Sequence, residues 1–455
     1  MKHLEGQKIA VIGLGTSGVA AARLALMKGG DVYVSDTSSD EATSARGAAL
    51  TTAGASVELG GHDFDRLAGA GIVVASPGIP PNAPVLRKLR ERGQSWISEP
   101  ELAFRFFNGP LIAVTGTNGK TTTTLLLGHL LNRAGIRVAV GGNVGGGLAP
   151  TASDLALMDN PPDWYVLEMS SFQLGGVESF QPEIGVITNL SPDHMDYYGD
   201  FEAYIADKAR LFKNASENSK WILPVGDQAV GRLASDAAGD HYFFGGDAVA
   251  GGDALVDGDA IALRVNGELK TLMPLADYPL LGLHNVDNAL AASLAAYLAG
   301  ARPKQISDGL KTVMPLPHRM EPIADKQGIL WVNDSKATNV AATVKALESF
   351  DRPVVILLGG TDKGESFAPL AGALKKSMGC GIAYGEAGPR IQSEIGDAAS
   401  IELLGNDFTA VVTRAAELAH PGDIILLSPA CSSFDMFESY EDRGQSFTQL
   451  SKESE

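Results

Sequence analysis

The chain has 455 residues, a net charge of −18 and 45% hydrophobic content, which describes a globular protein with material for several cores rather than a disordered or fibrous one. Its acidity excludes general nucleic-acid binding, which needs a basic footprint, but not anionic small ligands held by a few cations in one cleft. No apolar run approaches the roughly 18 residues of a membrane span, and Cys380 and Cys431 match neither a disulfide framework nor a zinc motif.

No leader sequence is expected, so the setting read from the chain is a reducing cytoplasm, without stable membrane insertion. Along the chain, short β-branched runs alternate with helical patterns, the signature of α/β architecture built on parallel sheets. KIAVIG, DVYVSD and GIVVASPG predict strands in a first segment, and LIAVTG, RVAVGG, WYVLEMS and IGVITNL in a second. ALVDGDAIALRVNGELKTLMPL has another texture: hairpin turns at Asp257-Gly258 and Asn266-Gly267 predict a small antiparallel meander. ILWVND, PVVILLGG, GCGIAYG and DIILLSPA supply strands to a third segment. Punctuation residues in FNGP (107–110) and PLPHR (315–319) divide the chain into 1–108, 109–315 and 316–455.

Chemistry concentrates at predicted strand ends, where open α/β sheets bind ligands. GLGTSG, Gly13 to Gly18, follows a strand and opens a helix, with Asp36 closing the next strand. By itself this fits a dinucleotide site, a nucleotide diphosphate at a helix N-terminus, or a tight turn that merely needs glycine. GTNGKT, from Gly116 to Thr121, is more specific. The strict phosphate-loop spacing would need glycine at 114, where the chain has Val114, yet glycine backbone, Lys120 and Thr121 are placed to hold a nucleotide triphosphate and Mg²⁺. Glu168 ends a strand of the same segment, and Asp193, His194 and Asp196 follow another, all of them candidate cation or substrate ligands.

FEAYIADKARLF poses a sharper question. At about 100° per residue, Phe201, Tyr204, Ile205, Leu211 and Phe212 share one face with Lys208 in its middle. Such a lysine either snorkels to the edge or is buried, with a lowered pKa and an amine able to take up CO₂ as a carbamate. In the third segment Asp334, Lys336 and Thr338 follow one strand, Lys363 a second and Ser433 a third, with His318 and Arg319 at the hinge.

In order, GLGTSG, SPGIP, GTNGKTTT, GNVG, LEMSSFQL, NLSPDHMD, LGLHNVDNALAA, PHRME, NDSKATN, LLGG and SPACSSFD resemble the Mur ligase family, the ATP-dependent amino-acid ligases of peptidoglycan synthesis. GTNGKT resembles that family's shortened phosphate loop. The resemblance implies α/β architecture with three domains, each on a mainly parallel sheet with flanking helices: Rossmann-like first and third domains around a P-loop-type ATPase domain that carries the meander. It implies an enzyme that joins D-glutamate to UDP-N-acetylmuramoyl-L-alanine through an acyl phosphate, with ATP and Mg²⁺, acting as a monomer. Gly15, Thr16, Ser17, Asp36, Thr37, Ser76, Gly78 and Asn143 would hold the uridine diphosphate substrate. Gly116, Thr117, Asn118, Gly119, Lys120, Thr121 and Thr122 would meet the ATP phosphates, Asn285 and Asn288 the adenine, and Arg319 and Asp334 the rest of the nucleotide. Asn285 could otherwise serve as a helix N-cap.

By the same resemblance, Thr121, Glu168, His194 and Lys208 as a carbamate would surround Mg²⁺. Lys336, Thr338, Lys363, Ser433, Phe434 and Tyr440 would position glutamate, Tyr440 standing where the family leads one to expect phenylalanine. Lys120, His194, Lys208 and Lys336 form the expected catalytic set. NDSKATN stands where the diaminopimelate- and lysine-adding branch has a DYAHTP-like stretch, and the DNPP at 159–162 lies before a second-segment strand. A Mur-type ligase for another amino acid or enantiomer remains an alternative. A nicotinamide dehydrogenase would leave the second glycine loop without a role, and an ATP-gated binding module would leave the third-segment cluster without one.

Overall fold

The computed structural model describes residues 3–80, 82–145, 147–247 and 251–453, with the backbone alone at Asp196 and Asp247. The chain divides into two compact units: Met1–Leu275 with Asp287–Leu310, and Ala276–Val286 with Lys311–Glu455.

The first unit contains two sheets. Strands β1 (Lys8–Ile12), β2 (Asp31–Asp36), β3 (Ser56–Leu59) and β4 (Ile72–Ala75) form a parallel sheet in the order β3-β2-β1-β4. Strand order reverses at β1, so the loops after β1 and β4 flank a crevice at the carboxyl edge. The second sheet comprises β5 (Leu111–Thr115), β6 (Val138–Gly142), β7 (Trp164–Glu168), β8 (Ile184–Ile187), β9 (Lys220–Pro224), β10 (Asp240–Asp247), β11 (Ala254–Asp257), β12 (Ala260–Val265) and β13 (Glu268–Pro274). Its order is β13-β12-β11-β10-β9-β8-β5-β7-β6, parallel from β6 to β11 and antiparallel from β11 to β13. Here the order reverses at β5, the strand that feeds the phosphate loop. β5 and β8 are buried at every position, as strands covered on both faces must be.

The helix Glu99–Phe104 couples these two sheets. Glu101, fully buried, accepts from the backbone N–H groups of Glu178, Ser179 and Phe180 at 2.9–3.1 Å, and Glu99 accepts from Ser153 N. Burial pushes the Glu99 carboxyl up to about 7, against the lowering effect of its Ser153 bond.

The second unit holds β14 (Glu321–Lys326), β15 (Ile329–Asn333), β16 (Val354–Gly359), β17 (Cys380–Tyr384), β18 (Ile401–Leu403) and β19 (Ile424–Leu427). Their order is β14-β15-β19-β16-β17-β18, with β14 antiparallel to β15 and the rest parallel. β19 inserts between β15 and β16, which brings the loops after these three strands side by side. Cys380 and Cys431 are free thiols.

The α/β class with mainly parallel sheets and the antiparallel meander follow the sequence expectation. Asn266 and Gly267 both take positive φ between the paired Val265 and Glu268, the geometry of a type I′ hairpin. The other hairpin differs: Asp257 pairs with Ala260, so the turn is Gly258-Asp259, one residue later than expected. Glycine takes the first loop position with φ +62, leaving Asp257 in the ladder. Five strands, β3, β9, β10, β14 and β18, were absent from the expectation. β3, β14 and β18 are partly exposed edge strands without a full apolar run; β9 and β10 carry runs too short to separate from buried helix by pattern.

Candidate active site

β5 ends at Thr115, and the chain turns through Gly116 to Gly119 into the helix Lys120–Arg133. Gly119 occupies the N-cap in the left-handed region, φ +86, where a Cβ would meet Asn288 Oδ1 at 2.3 Å. A β-carbon on Gly116, φ +139, would lie 2.0 Å from Thr188 Oγ1. Only glycine satisfies both the backbone and the space at these positions. The loop is braced from β8: Thr188 Oγ1 and Asn189 Nδ2 donate to Asn118 O at 2.6 and 2.9 Å, and Asn118 N donates to Asn189 Oδ1 at 3.0 Å. Thr117 Oγ1 meets Ser191 O, Ser191 N and the Tyr204 hydroxyl, each at 3.0 Å. Lys120 Nζ donates to Thr117 O at 2.8 Å, so its ammonium lies over its own loop. Thr121 and Thr122 are buried in the first helical turn, and Thr123 Oγ1 donates to Asn288 Oδ1 at 3.1 Å.

Lys208 takes the buried alternative. It is 1% exposed on the helix Phe201–Ala209 and donates to Gly116 O at 2.8 Å, its Nζ 4.7 Å from the centre of the Tyr204 ring. Burial, then the nearby Lys120, holds its pKa well below the ordinary lysine value, against the pull of Asp193, Glu168 and Asp207. Glu168 is 2% exposed; Oε1 accepts from Asn143 Nδ2 at 3.3 Å, while Oε2 is buried with no hydrogen-bond partner. A buried carboxylate oxygen without a partner is a place where a water or a cation can be accommodated. His194 adopts φ +57 at the start of the helix Met195–Tyr198, its ring half-exposed and 5.0 Å from that of Phe172. Asp196, another candidate, has its side chain outside the described residues. Among the described residues no group of three His, Cys, Asp or Glu forms a metal cluster by itself.

In the first sheet, Gly13 to Gly18 link β1 to the helix Thr16–Met27, with Gly15 at the N-cap. Gly15, Thr16, Thr37, Gly78 and Asn143 are exposed, and Ser17 and Ser76 are partly covered. Ser76 Oγ donates to Gly13 O at 3.3 Å, joining the two loops across the β1/β4 crevice. Asp36 accepts from Leu14 N at 2.6 Å and Ser38 N at 2.8 Å, which fixes its carboxylate against the glycine loop.

In the second unit the helix Leu283–Leu298 begins before Asn285, whose Nδ2 donates to Leu281 O at 2.7 Å. Asn285 is thus inside the first turn and not the N-cap. It belongs to the second unit and Asn288 to the first. Burial pushes the Asp334 carboxyl up to about 7, although Ser428 Oγ at 2.8 Å, Met320 N at 3.1 Å and Arg319 pull the other way. Lys363 Nζ donates to Thr338 O and Oγ1 at 3.1 and 3.2 Å, and Lys336 Nζ lies 5.4 Å from the Tyr440 ring centre. Ser433 is buried and Phe434 is 73% exposed. Residues predicted from three separate loops therefore share one sheet edge.

Residues 114–296 match the family model described as Mur ligase middle domain, 318–431 the Mur ligase glutamate ligase domain, and 7–98 the Mur ligase MurD-like N-terminal domain. The chain is 41% identical over 452 residues to the UDP-N-acetylmuramoylalanine–D-glutamate ligase of Acidobacterium capsulatum, covering 98% of this chain and 96% of the relative. It is 39% identical to the protein of the same name from Salinibacter ruber, covering 97% and 96%. The chain belongs to the Mur ligase family. The fold of this Mur ligase is shared with UDP-N-acetylmuramate-alanine ligase from Thermotoga maritima, TM-score 0.57 at 19% identity over 99% of this chain and 100% of that one. It is shared also with MurF from Acinetobacter baumannii, TM-score 0.60 at 16% identity over 88% and 87%.

In this Mur ligase the residues that brace the loops lie outside the set expected from the sequence to form the site. Thr188, Asn189 and Tyr204 hold the phosphate loop, and Arg443 holds the second unit's edge. Arg443, fully buried, donates to Ser335 Oγ and O, Gly359 O, Cys431 O and Ser432 O at 2.9–3.3 Å, joining the loops after β15, β16 and β19. Its position in a polar helical stretch, YEDRGQ, carries no signal of burial.

Proposed function

We infer that this Mur ligase joins D-glutamate to UDP-N-acetylmuramoyl-L-alanine, forming ADP and phosphate from ATP, in peptidoglycan synthesis. The observation that carries this reading is 41% identity across 98% of the chain to a relative of that name; the phosphate loop, Lys208 and Glu168 lie within the 114–296 match to the Mur ligase middle domain.

We assign the nucleotide sugar to residues 1–108, ATP to 109–315 and the amino acid to 316–455, in a cytoplasmic monomer. The loop Gly116–Thr122 cradles the ATP phosphates with its N–H groups, and Lys120 leaves Thr117 O to reach them. Asn288 and Asn285 serve the adenine, and Arg319 and Asp334 the remainder of the nucleotide. Thr121, Glu168, His194 and Lys208 as a carbamate fit a magnesium ion, given the partnerless Glu168 Oε2; bound there, Mg²⁺ would offset the negative charge of the phosphates.

Gly15, Thr16, Ser17, Asp36, Thr37, Ser76, Gly78 and Asn143 orient the nucleotide sugar so that its alanine carboxylate faces the γ-phosphate. The carboxylate attacks the γ-phosphorus, Lys120 and the loop N–H groups stabilise the transferring charge, and an acyl phosphate forms as ADP leaves. Lys336 and Lys363 pair with the two glutamate carboxylates, and Thr338, Ser433, Phe434 and Tyr440 shape the pocket. The glutamate amine attacks the acyl carbon, phosphate leaves, and an amide remains. Phosphate release measured with UDP-N-acetylmuramoyl-L-alanine and a panel of D- and L-amino acids tests this. Turnover is expected with D-glutamate; release indifferent to both the nucleotide sugar and the amino acid would sink the reading.

A further inference from the structure

Tyr197 lies just after the His194 turn and is absent from the assignments above. Its hydroxyl donates to Ile79 O at 2.8 Å, reaching from the second sheet's elements to the first sheet's. Ile79 closes the turn that carries Ser76 and Gly78, its N–H donating to Ser76 O at 3.1 Å, and Ser76 is tied to Gly13 in the glycine loop. On its other side, Tyr197 N donates to His194 O at 3.0 Å. The Tyr197 ring centre lies 4.2 Å from that of Phe172, which also packs on the His194 ring. A cavity of about 220 Å³ is bordered by Ser76, Ile79, Trp96, Phe172, Tyr197 and Asp207. The turn at Ile79 is therefore not held by continuous packing, and where packing is incomplete a hydrogen bond sets position.

We propose that Tyr197 is a positioning residue, its phenol latching the nucleotide-sugar loop of the first sheet to the His194 turn. The inference rests on the assignment of Ser76 and Gly78 to the nucleotide sugar. It adds that the sugar's loop is held in register with the phosphate-transfer centre by a group that touches neither substrate nor ATP. The latch acts on the substrate's ground state and transition state alike, so its loss raises KM and leaves kcat in place.

Tyr197→Phe removes the hydroxyl and keeps the ring. One hydrogen bond corresponds to about a fivefold effect, so KM for UDP-N-acetylmuramoyl-L-alanine is expected to rise about fivefold while kcat and the KM values for ATP and D-glutamate hold. Calorimetric titration with the nucleotide sugar alone should show the same loss of affinity. Tyr197→Leu, which also removes the ring from Phe172, should lower kcat as well. KM does not depend on the folded fraction, so a less stable variant still gives an answer. An unchanged nucleotide-sugar KM in Tyr197→Phe, or an equal rise for all three substrates, overturns the latch. A wild-type protein that forms no phosphate with the nucleotide sugar instead overturns the functional reading, and the latch with it.

Discussion

Lys208 and Gly119 carry the strictest demands at the scale of single residues. The lysine sits 1% exposed with its Nζ over the Tyr204 ring, its amine directed to Gly116 O at the root of the phosphate loop. If its role is to become an anion there, Lys208→Ala should lower turnover by at least about a hundredfold, the size of losing one preorganised electrostatic group. Acetate or bicarbonate should restore part of the activity; turnover equal to wild type would remove the role. Gly119→Ala places a methyl 2.3 Å from Asn288 Oδ1 at φ +86. The left-handed conformation alone costs a β-carbon about 1–2 kcal/mol, so kcat/KM for ATP should fall by at least about tenfold and the melting temperature should drop. An alanine variant with wild-type ATP kinetics would mean that the loop has another resting shape.

Short elements decide how the loops are presented. The helix Glu99–Phe104 spends two buried carboxylates on joining the first sheet to the second, Glu101 on the 178–180 backbone and Glu99 on Ser153. Glu99 has its folded-state pKa raised to about 7 from 4.5. A raised carboxyl pKa means the folded state holds the proton more tightly. Its contribution is fully present below about pH 4.5 and is lost as pH rises through about 7, on the order of 3 kcal/mol. Glu99→Gln, neutral at every pH, should therefore flatten the decline in melting temperature between pH 5 and 8 and exceed wild type at pH 8. Identical pH profiles by calorimetry would place the raised pKa in doubt. The edge strands β3, β14 and β18 complete their sheets without strong apolar patterns, which is why they were illegible, whereas β5, β8, β16 and β19 announced themselves by near-continuous apolar runs, which the structure buries at every position.

At the scale of the whole molecule, a net charge of −18 sets self-repulsion against association, and no helix among the described residues is long and apolar enough to cross a membrane. Sedimentation velocity should give one monomeric species whose coefficient holds across a tenfold concentration series at low ionic strength. A concentration-dependent shift toward a dimer would contradict the monomer assignment. The two compact units do not coincide with a simple cut in the chain. Ala276–Val286 goes with Lys311–Glu455, and the helix Leu283–Leu298 is divided between Val286 and Asp287. Two asparagines three positions apart thus belong to different units, a partition invisible to any reading by composition or punctuation.

The sequence by itself determined the α/β class, most of the parallel strands, the meander and the glycine loops at the strand ends, because glycine placement, apolar runs and the Gly-Lys-Thr turn are local signals that survive without a partner. It left open whether Lys208 snorkels or is buried and whether Asn285 caps its helix. It was silent on Arg443 and on the latch from Tyr197 to Ile79. Those were decided only by the tertiary structure, since burial and long-range hydrogen bonds depend on which distant segments meet, and a stripe or a polar run looks the same whichever neighbour covers it.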